Sequence, residues 1–419
     1  MSKLEKLIKE LCPDGVEYKT LNEVCKFKNG FSFKSNLFKT EGEPILRITN
    51  IVNGNINDDG LVYFSLEDYN ENLKQYEINK GDIVVAMSGA TTGKIGYNNT
   101  DKVYYLNQRV GLFIPNETFL NKRFLYHWLL GQSNNIYNIS SGAGAQPNLS
   151  SVKMMNFLIP VPPLEVQGEI VRILDNFTEL TAELTAELTA ELTKRRRQYE
   201  YYRDALLTKE TKAERKKLGE IGIFYGGLSG KTKDDFKDGN AKFISYMNVY
   251  SNLKLNLNTD EKVKIGENEN QHTIEYGDVL FTGSSETPDE CGISSVLADK
   301  TNEKLYLNSF SFGFRFNDKK LFNPEFSKYL FRSDALRKQI IKTASGVTRF
   351  NVSKEKMKKV SIPVPPLPVQ EEIVRILDTF TELTAELTAE LTAELTERRR
   401  QYEYYRDKLL TFEERTYEH

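Results

Sequence analysis

Residues Ser88 to Lys94 read Ser-Gly-Ala-Thr-Thr-Gly-Lys, close to a loop that cradles phosphate. Such a loop needs glycine first, so that backbone N–H groups can approach the phosphates, and a hydroxyl after its lysine to hold magnesium. Ser88 and Ile95 stand at those places, and the second half of the chain offers Thr282-Gly-Ser-Ser-Glu-Thr-Pro288 without the lysine. A nucleotide site is therefore not expected. A glycine-rich turn presenting Ser88, Thr91 and Lys94 to a phosphate backbone fits, and a plain strand-connecting turn fits equally. Pro13-Asp14 with Glu17 and Lys19 imitates a nuclease motif. One short loop cannot bring together carboxylates that such enzymes draw from separate strands onto a metal. His127, His272 and His419 have no partner spacing for metal binding or nucleophilic catalysis. Ser141-Gly-Ala-Gly-Ala-Gln146 stops short of the third glycine of a dinucleotide-binding turn. Nor is there the NPPY-like tetrapeptide of an amino-methyltransferase. No catalytic constellation survives.

The elements that would position these residues follow from charge, repetition and periodicity. The chain has 419 residues and a net charge of −2, which conceals a segregation along its length. Residues 14–158 carry 14 basic and 14 acidic side chains, and residues 209–361 carry 27 and 21. Residues 159–208 carry 6 against 9, and residues 362–419 carry 7 against 13. A phosphate-facing surface is expected on the neutral-to-basic regions and not on the acidic ones. No apolar run approaches the ~18 residues of a membrane span. The charged start MSKLEKLIKE lacks a signal-peptide core. Cys12, Cys25 and Cys291 are too scattered for a disulfide framework or a zinc site. A cytoplasmic location is expected, with no membrane partner.

The acidic regions are one segment written twice. Ile159–Thr208 recurs 203 positions later as Ile362–Thr411 with five changes: Glu165/Pro368, Gly168/Glu371, Asn176/Thr379, Lys194/Glu397 and Ala205/Lys408. Pro162-Pro163 can open a helix but not sit inside one. Ile170, Ile173, Leu174 and Phe177 then follow the spacing of an amphipathic helix. Thr-Ala-Glu-Leu units place Leu180, Leu184, Leu188 and Leu192 in the first copy, and Leu383, Leu387, Leu391 and Leu395 in the second. Each four-residue step drifts by roughly 40°, and about 42 helical residues reach about 60 Å. Two such helices would bury their leucine stripes against each other, most simply as an antiparallel coiled-coil pair. Arg195-Arg196-Arg197 with Tyr199 and Tyr202, and Arg398-Arg399-Arg400 with Tyr402 and Tyr405, lie toward the helix ends. They fit a solvated face that complements the helix dipole, and also a partner-docking patch.

The intervening regions are duplicated more faintly. Gly81-Asp82-Ile83-Val84 parallels Gly277-Asp278-Val279-Leu280, and Tyr105-Leu106-Asn107 parallels Tyr306-Leu307-Asn308. Asn121–Leu129 and Asn323–Leu330 read as helices. Short β-like runs such as Pro44–Ile51, Ile83–Met87, Val103–Leu106 and Leu112–Ile114 alternate with Gly, Asn and Asp turns. The fold class expected is α+β: two mixed domains and two long helices with internal pseudo-two-fold duplication.

The duplicated plan, PVPPL-x-VQ-x-EIVRILD, the TAEL array and RRRQYEYYRD together resemble the DNA-specificity (S) subunit of type I restriction–modification systems, over essentially the whole chain. The resemblance is looser in the variable regions, through GDIVVAMSGATTGKIG and the Ser-Gly…Asn-Leu-Ser exit. It implies target-recognition domains at 1–158 and 209–361, and conserved spacer helices at 159–208 and 362–419. It implies no enzyme activity in the chain. Two methyltransferase (M) subunits would dock on the helices and restriction/translocase (R) subunits would join them, carrying S-adenosylmethionine, ATP and magnesium. Double-stranded DNA would be read as two half-sites. Side chains suited to base edges and phosphates make Ser88, Thr91, Lys94, Asn107, Arg109 and Gln146 the first domain's candidates. Lys231, Ser284, Ser285, Asn308, Thr348 and Arg349 are the second domain's. An adaptor holding protein partners, and a self-sufficient methyltransferase or nuclease, are the competing classes.

Overall fold

The computed structural model describes residues 2–140, 147–209 and 213–415. They form two units, Met1–Glu187 with Thr392–His419, and Leu188–Leu391.

In the first unit, a six-stranded sheet has the order Cys25–Asn29, Val110–Pro115, Ile83–Ala86, Ile95–Tyr97, Gly54–Ile56, Ile51–Val52. Beside it lies a four-stranded sheet: Val62–Phe64, Glu43–Leu46, Tyr104–Leu106, Glu77–Ile78. The expected strand Pro44–Ile51 is shorter than its sequence suggests. It stops at Leu46, and Ile48–Asn50 forms a 3-10 turn in which Asn50 is buried and donates to the carbonyls of Asn57 and Asp59. A polar side chain inside an apolar run thus closes a turn where periodicity alone continues a strand.

The second unit repeats this plan. Gly222–Gly226, Ser311–Phe316, Val279–Thr282 and Ser294–Val296 form one sheet, and Lys262–Val263, Ala241–Ile244, Leu305–Leu307 and Thr273–Ile274 the other. The strand before the asparagine turn pairs in parallel in both units, Tyr105 with Ile45 and Tyr306 with Phe243. A three-stranded sheet, Ser284–Ser285 with Phe350–Val352 and Ala344–Ser345, is confined to this unit among the described residues.

The expected helices form as Lys122–Gly131 and Pro324–Leu330, capped by Asn121 and Asn323, whose side-chain oxygens accept from the first-turn N–H groups. Each packs on the start of a long helix. Phe124, Leu125 and Leu129 meet Ile170 and Leu174 in the first core; Phe326 and Leu330 meet Ile373 and Leu377 in the second. Each such buried side chain contributes about 1.5–3 kcal/mol.

The long helices run Leu164–Asp204 and Leu367–Leu409. Threonines in the TAEL array turn their hydroxyls onto their own helix, Thr181 to the Phe177 carbonyl and Thr384 to that of Phe380, both at 2.7 Å. That back-bonding lets a β-branched residue recur inside a helix. In each unit the early part of one helix meets the end of the other, as antiparallel helices do. Phe177 stacks on Tyr405 in the first unit, and Tyr202 on Phe380 in the second. The leucine stripe corrects one expectation. Leu180 and Leu383 are 56% and 57% exposed, Leu391 is buried, and Leu184, Leu188, Leu192, Leu387 and Leu395 are half-buried. The 40° drift carries the first leucine of each array off the buried face.

Candidate functional site

An asparagine builds the same tight turn in both units. Val110 N–H donates to the Asn107 carbonyl at 2.8 Å, and Arg109 N–H to Asn107 Oδ1 at 3.3 Å. In the second unit Ser311 N–H donates to the Asn308 carbonyl at 3.3 Å, and Phe310 N–H to Asn308 Oδ1 at 2.9 Å. Each turn is pressed against a glycine. A Cβ on Gly30 would lie 2.0 Å from the Asn107 carbonyl oxygen, and one on Gly227 would lie 1.9 Å from that of Asn308. Only a residue without a side chain lets the backbones approach so closely.

The turn then joins the end of a central strand and the domain's exit. Met87 N–H donates to the Arg109 carbonyl, and Leu149 N–H to the Met87 carbonyl, both at 2.8 Å. Gly283 N–H donates to the Phe310 carbonyl at 2.8 Å, and Val352 N–H to that of Gly283 at 2.9 Å. Ser88 bridges Asn148, and Ser284 pairs with Asn351. Two units of different sequence thus share one backbone frame, with Ser88 and Ser284 at equivalent points.

The candidate residues sort themselves around this frame. Ser88 and Arg109 come together with Met87, Gln108, Asn148 and Leu149 around an open cleft of about 430 Å³. Ser88 is buried, and its hydroxyl, like that of Thr91, has no hydrogen-bond partner among the described residues. Lys94 and Arg109 are exposed. Gln146 lies outside the described residues. In the second unit Arg349 donates from Nε to Ser284 Oγ at 3.2 Å, and Thr348 is exposed beside it. Three candidates are held by the framework. Asn308 is buried, donating to the Ile244 carbonyl and Ser311 Oγ. Lys231 is bound by Glu269 and the Lys264 carbonyl with its side chain 8% exposed. Ser285 donates to Glu290 at 3.1 Å. Asn107 is half-buried and serves its turn.

The helix candidates divide similarly. Arg195 pairs with Glu191, Arg196 with Glu200, Arg398 with Glu394 and Arg399 with Glu403, all one turn apart on an exposed face. Arg197 and Arg400 are exposed. Tyr199 is half-buried, while Tyr202 and Tyr405 stack on phenylalanine. Tyr402 is half-buried, 2.9 Å from His127 Nδ1, and burial raises the pKa of its phenol. Tyr201 and Tyr404, 67% and 61% exposed, are the tyrosines these runs offer most openly to a partner. The repeated Gln-Tyr-Glu-Tyr-Tyr signalled them, but only the helix phase tells them from their neighbours.

Sequence reasoning also missed how each helix is seated. Gln167 is fully buried: Oε1 accepts from Asn121 N–H at 2.8 Å, and Nε2 donates to the Phe119 and Pro162 carbonyls at 2.7 Å. Gln370 does the same with Asn323 N–H and the Leu321 and Pro365 carbonyls. The signal was present as a glutamine retained in both copies of the repeat.

Beneath this latch the units differ. His127, fully buried, contacts Asp175 at 2.7 Å through Nε2, and Arg123 donates to the same carboxylate at 2.8 Å. Burial lowers the imidazole pKa, against the pull of Asp175. Burial opposes ionisation of Asp175 too, but His127 and Arg123 hold its carboxyl below the usual value. In the second unit the equivalent Asp378 accepts from Tyr329 and Lys328. Among the described residues no group of His, Cys, Asp and Glu could hold a metal ion, and no helix is long and apolar enough to cross a membrane.

The sequence pattern of the type I restriction modification DNA specificity domain matches the chain twice, over residues 13–194 and 210–397. A putative type I restriction enzyme specificity subunit of Haemophilus influenzae is 32% identical, covering 98% of each chain. A specificity subunit of a type I restriction enzyme of Escherichia coli is 31% identical over 71% of this chain and 72% of its own. Among solved structures, a chain from work on complex assembly and conformational transition of the type I R-M system superposes with a TM-score of 0.70. It shares 19% identity and covers 95% of this chain and 98% of its own. The HsdS subunit of Thermoanaerobacter tengcongensis gives a TM-score of 0.54 at 18% identity, covering 96% of this chain and 97% of its own. These likenesses establish a shared fold.

Proposed function

Because the chain belongs to the type I restriction–modification DNA specificity family, we propose that its two units read the two halves of a bipartite double-stranded DNA target while its long helices dock methyltransferase subunits. It is a specificity subunit with two target-recognition domains, the non-catalytic component of its system. In this reading two M subunits bind the helices and R subunits join the assembly. S-adenosylmethionine, ATP and magnesium are then held by those partners and not by this chain.

The observation that carries the reading is the frame at Ser88 and Ser284. One backbone arrangement, repeated in both units, is furnished with different side chains at its exposed positions. Two readers of unlike half-sites require that arrangement. The helices carry the opposite signature, near-identical exposed arginines and tyrosines, as two copies of one partner require. Exposed Lys94 and the excess of basic over acidic residues in 209–361 suit phosphate contacts, which set register; base edges supply specificity.

The test is affinity of the full chain, assembled with its methyltransferase, for duplexes carrying the mapped target or a scrambled half-site, across a salt series. The reading expects log affinity to fall steeply and linearly with log salt, and each scrambled half to weaken binding separately. Binding indifferent to both would favour a protein adaptor instead.

A further inference from the structure

The central positions of the asparagine turn, Gln108-Arg109 and Ser309-Phe310, are the place where the frame is held fixed and its cargo is not. The carbonyls of Arg109 and Phe310 are both fastened to the end of the central strand, by Met87 N–H and Gly283 N–H. Their side chains are nevertheless exposed, Phe310 at 61%. Neither side chain makes a hydrogen bond to a described residue. Gln108 is exposed as well. A backbone pinned by several hydrogen bonds and a glycine contact, carrying side chains that the frame itself does not use, is prepared to present those side chains outward.

What stands beside the turn differs in a complementary way. In the first unit the cleft below Arg109 is lined by Ser88, whose hydroxyl has no partner among the described residues, and by Asn148. In the second unit the equivalent serine is already engaged by Arg349, which arrives from the hairpin between Ala344–Ser345 and Phe350–Val352. The hairpin turns at Gly346, where φ is 154° and a Cβ would lie 2.0 Å from the Arg349 carbonyl oxygen. Val347 at its tip is 91% exposed. Each unit therefore has one arginine at its serine, delivered by the turn in the first and by the hairpin in the second. Where the first unit extends an arginine from the turn, the second extends a phenylalanine.

We infer that this turn is the specificity-determining element of each domain: Gln108 and Arg109 read a purine by hydrogen bonds to its major-groove edge, and Phe310 reads a thymine through its methyl group while Arg349 makes the polar contact. The inference rests on the DNA-reading function proposed above. Arginine and glutamine match the acceptor and donor patterns of guanine and adenine, and an aromatic ring packs on the one methyl group in the major groove. The cleft with Ser88 and Asn148 gives the first domain further polar groups to fix the base's orientation. The second domain has used its serine to fix its own arginine.

The experiment maps methylated bases across the genome of cells lacking this chain and supplied with wild type, Arg109→Ala, Arg109→Lys or Phe310→Ala. Arg109→Ala is expected to relax one base pair of one half-site, with discrimination there falling roughly tenfold to a hundredfold. Arg109→Lys is expected to keep part of it, and Phe310→Ala to relax a pair in the other half-site. An unchanged motif, or the same half-site altered by both substitutions, would overturn the inference. If a variant abolishes methylation, its complex with the methyltransferase is assayed on duplexes permuted at single positions. Flattened preference at one pair supports the inference, and a wild-type preference profile refutes it. If removing the chain leaves the bipartite motif methylated, the DNA-reading function itself fails, which is a different result from misassigned residues.

Discussion

At the seat of the long helices the two units are almost the same protein; at the frame around Ser88 and Ser284 they share a backbone and the serine, asparagine and glycine that build it, and differ in the side chains exposed on it. Gln167 and Gln370 make matching hydrogen bonds to matching partners. Away from that seat, on the exposed turns, side chains are free to differ because nothing internal depends on them. The contrast separates side chains that hold the fold together from side chains that the fold leaves unused. A buried side chain that satisfies three backbone groups cannot change without leaving them unpaired. One that projects from a pinned turn can.

The comparison can be strained in order of expected effect. Replacing Gln167 or Gln370 by alanine leaves a half-buried N–H and two carbonyls, one of them buried, without this partner, a loss of about 2–3 kcal/mol. Denaturant unfolding should show equal losses for the two; a large difference would break the claimed equivalence of the seats. Arg332→Met should act on the second unit alone. This half-buried side chain donates to the Ser294, Tyr250 and Asn252 carbonyls, and desolvation pushes its pKa down to about 10. Its loss should cost about 2 kcal/mol, with faster hydrogen exchange confined to residues 241–300.

A third prediction uses pH. His127 is buried with a depressed pKa, and Asp175, Arg123, Arg406 and Tyr402 face it. The unfolded chain binds a proton near pH 6.5 that the folded chain resists, so stability from this site is present above about pH 6.5 and declines as pH falls further. The first unit should lose stability as pH falls through that range. His127→Tyr, which copies Tyr329 of the second unit, should remove that slope. A slope that persists would place the titrating group elsewhere. The smallest effect is expected at the one charge reversal between the exposed arginine-rich helix faces. Lys194→Glu should leave the unfolding midpoint unchanged and, if these faces are equivalent sockets, alter methyltransferase binding at one of two sites.

Much of this was legible in the residues. The duplication, both long helices, the capped helices at Asn121 and Asn323, and the correspondence of Asn107 with Asn308 all follow from local pattern and repetition. What escaped depends on contacts distant in sequence. Lys231 looks like a phosphate-binding lysine until Glu269, in another loop, takes its ammonium group. Asn308 looks like a base reader, yet its side chain closes its own turn and reaches the Ile244 carbonyl. Leu180 and Leu383 share a spacing with their fellow leucines, yet helical drift turns them outward. Ser88 and Arg109 stand out separately in the sequence, and only the sheet brings them to one cleft.

The central claim is that each unit reads one half-site independently. It is tested most directly by building a chain in which residues 13–158 also replace 210–361, and mapping the methylated bases it directs. The account predicts a bipartite target in which one of the two original half-sites occurs twice and the other is lost. Methylation of the original unsymmetrical target by that chain would contradict it.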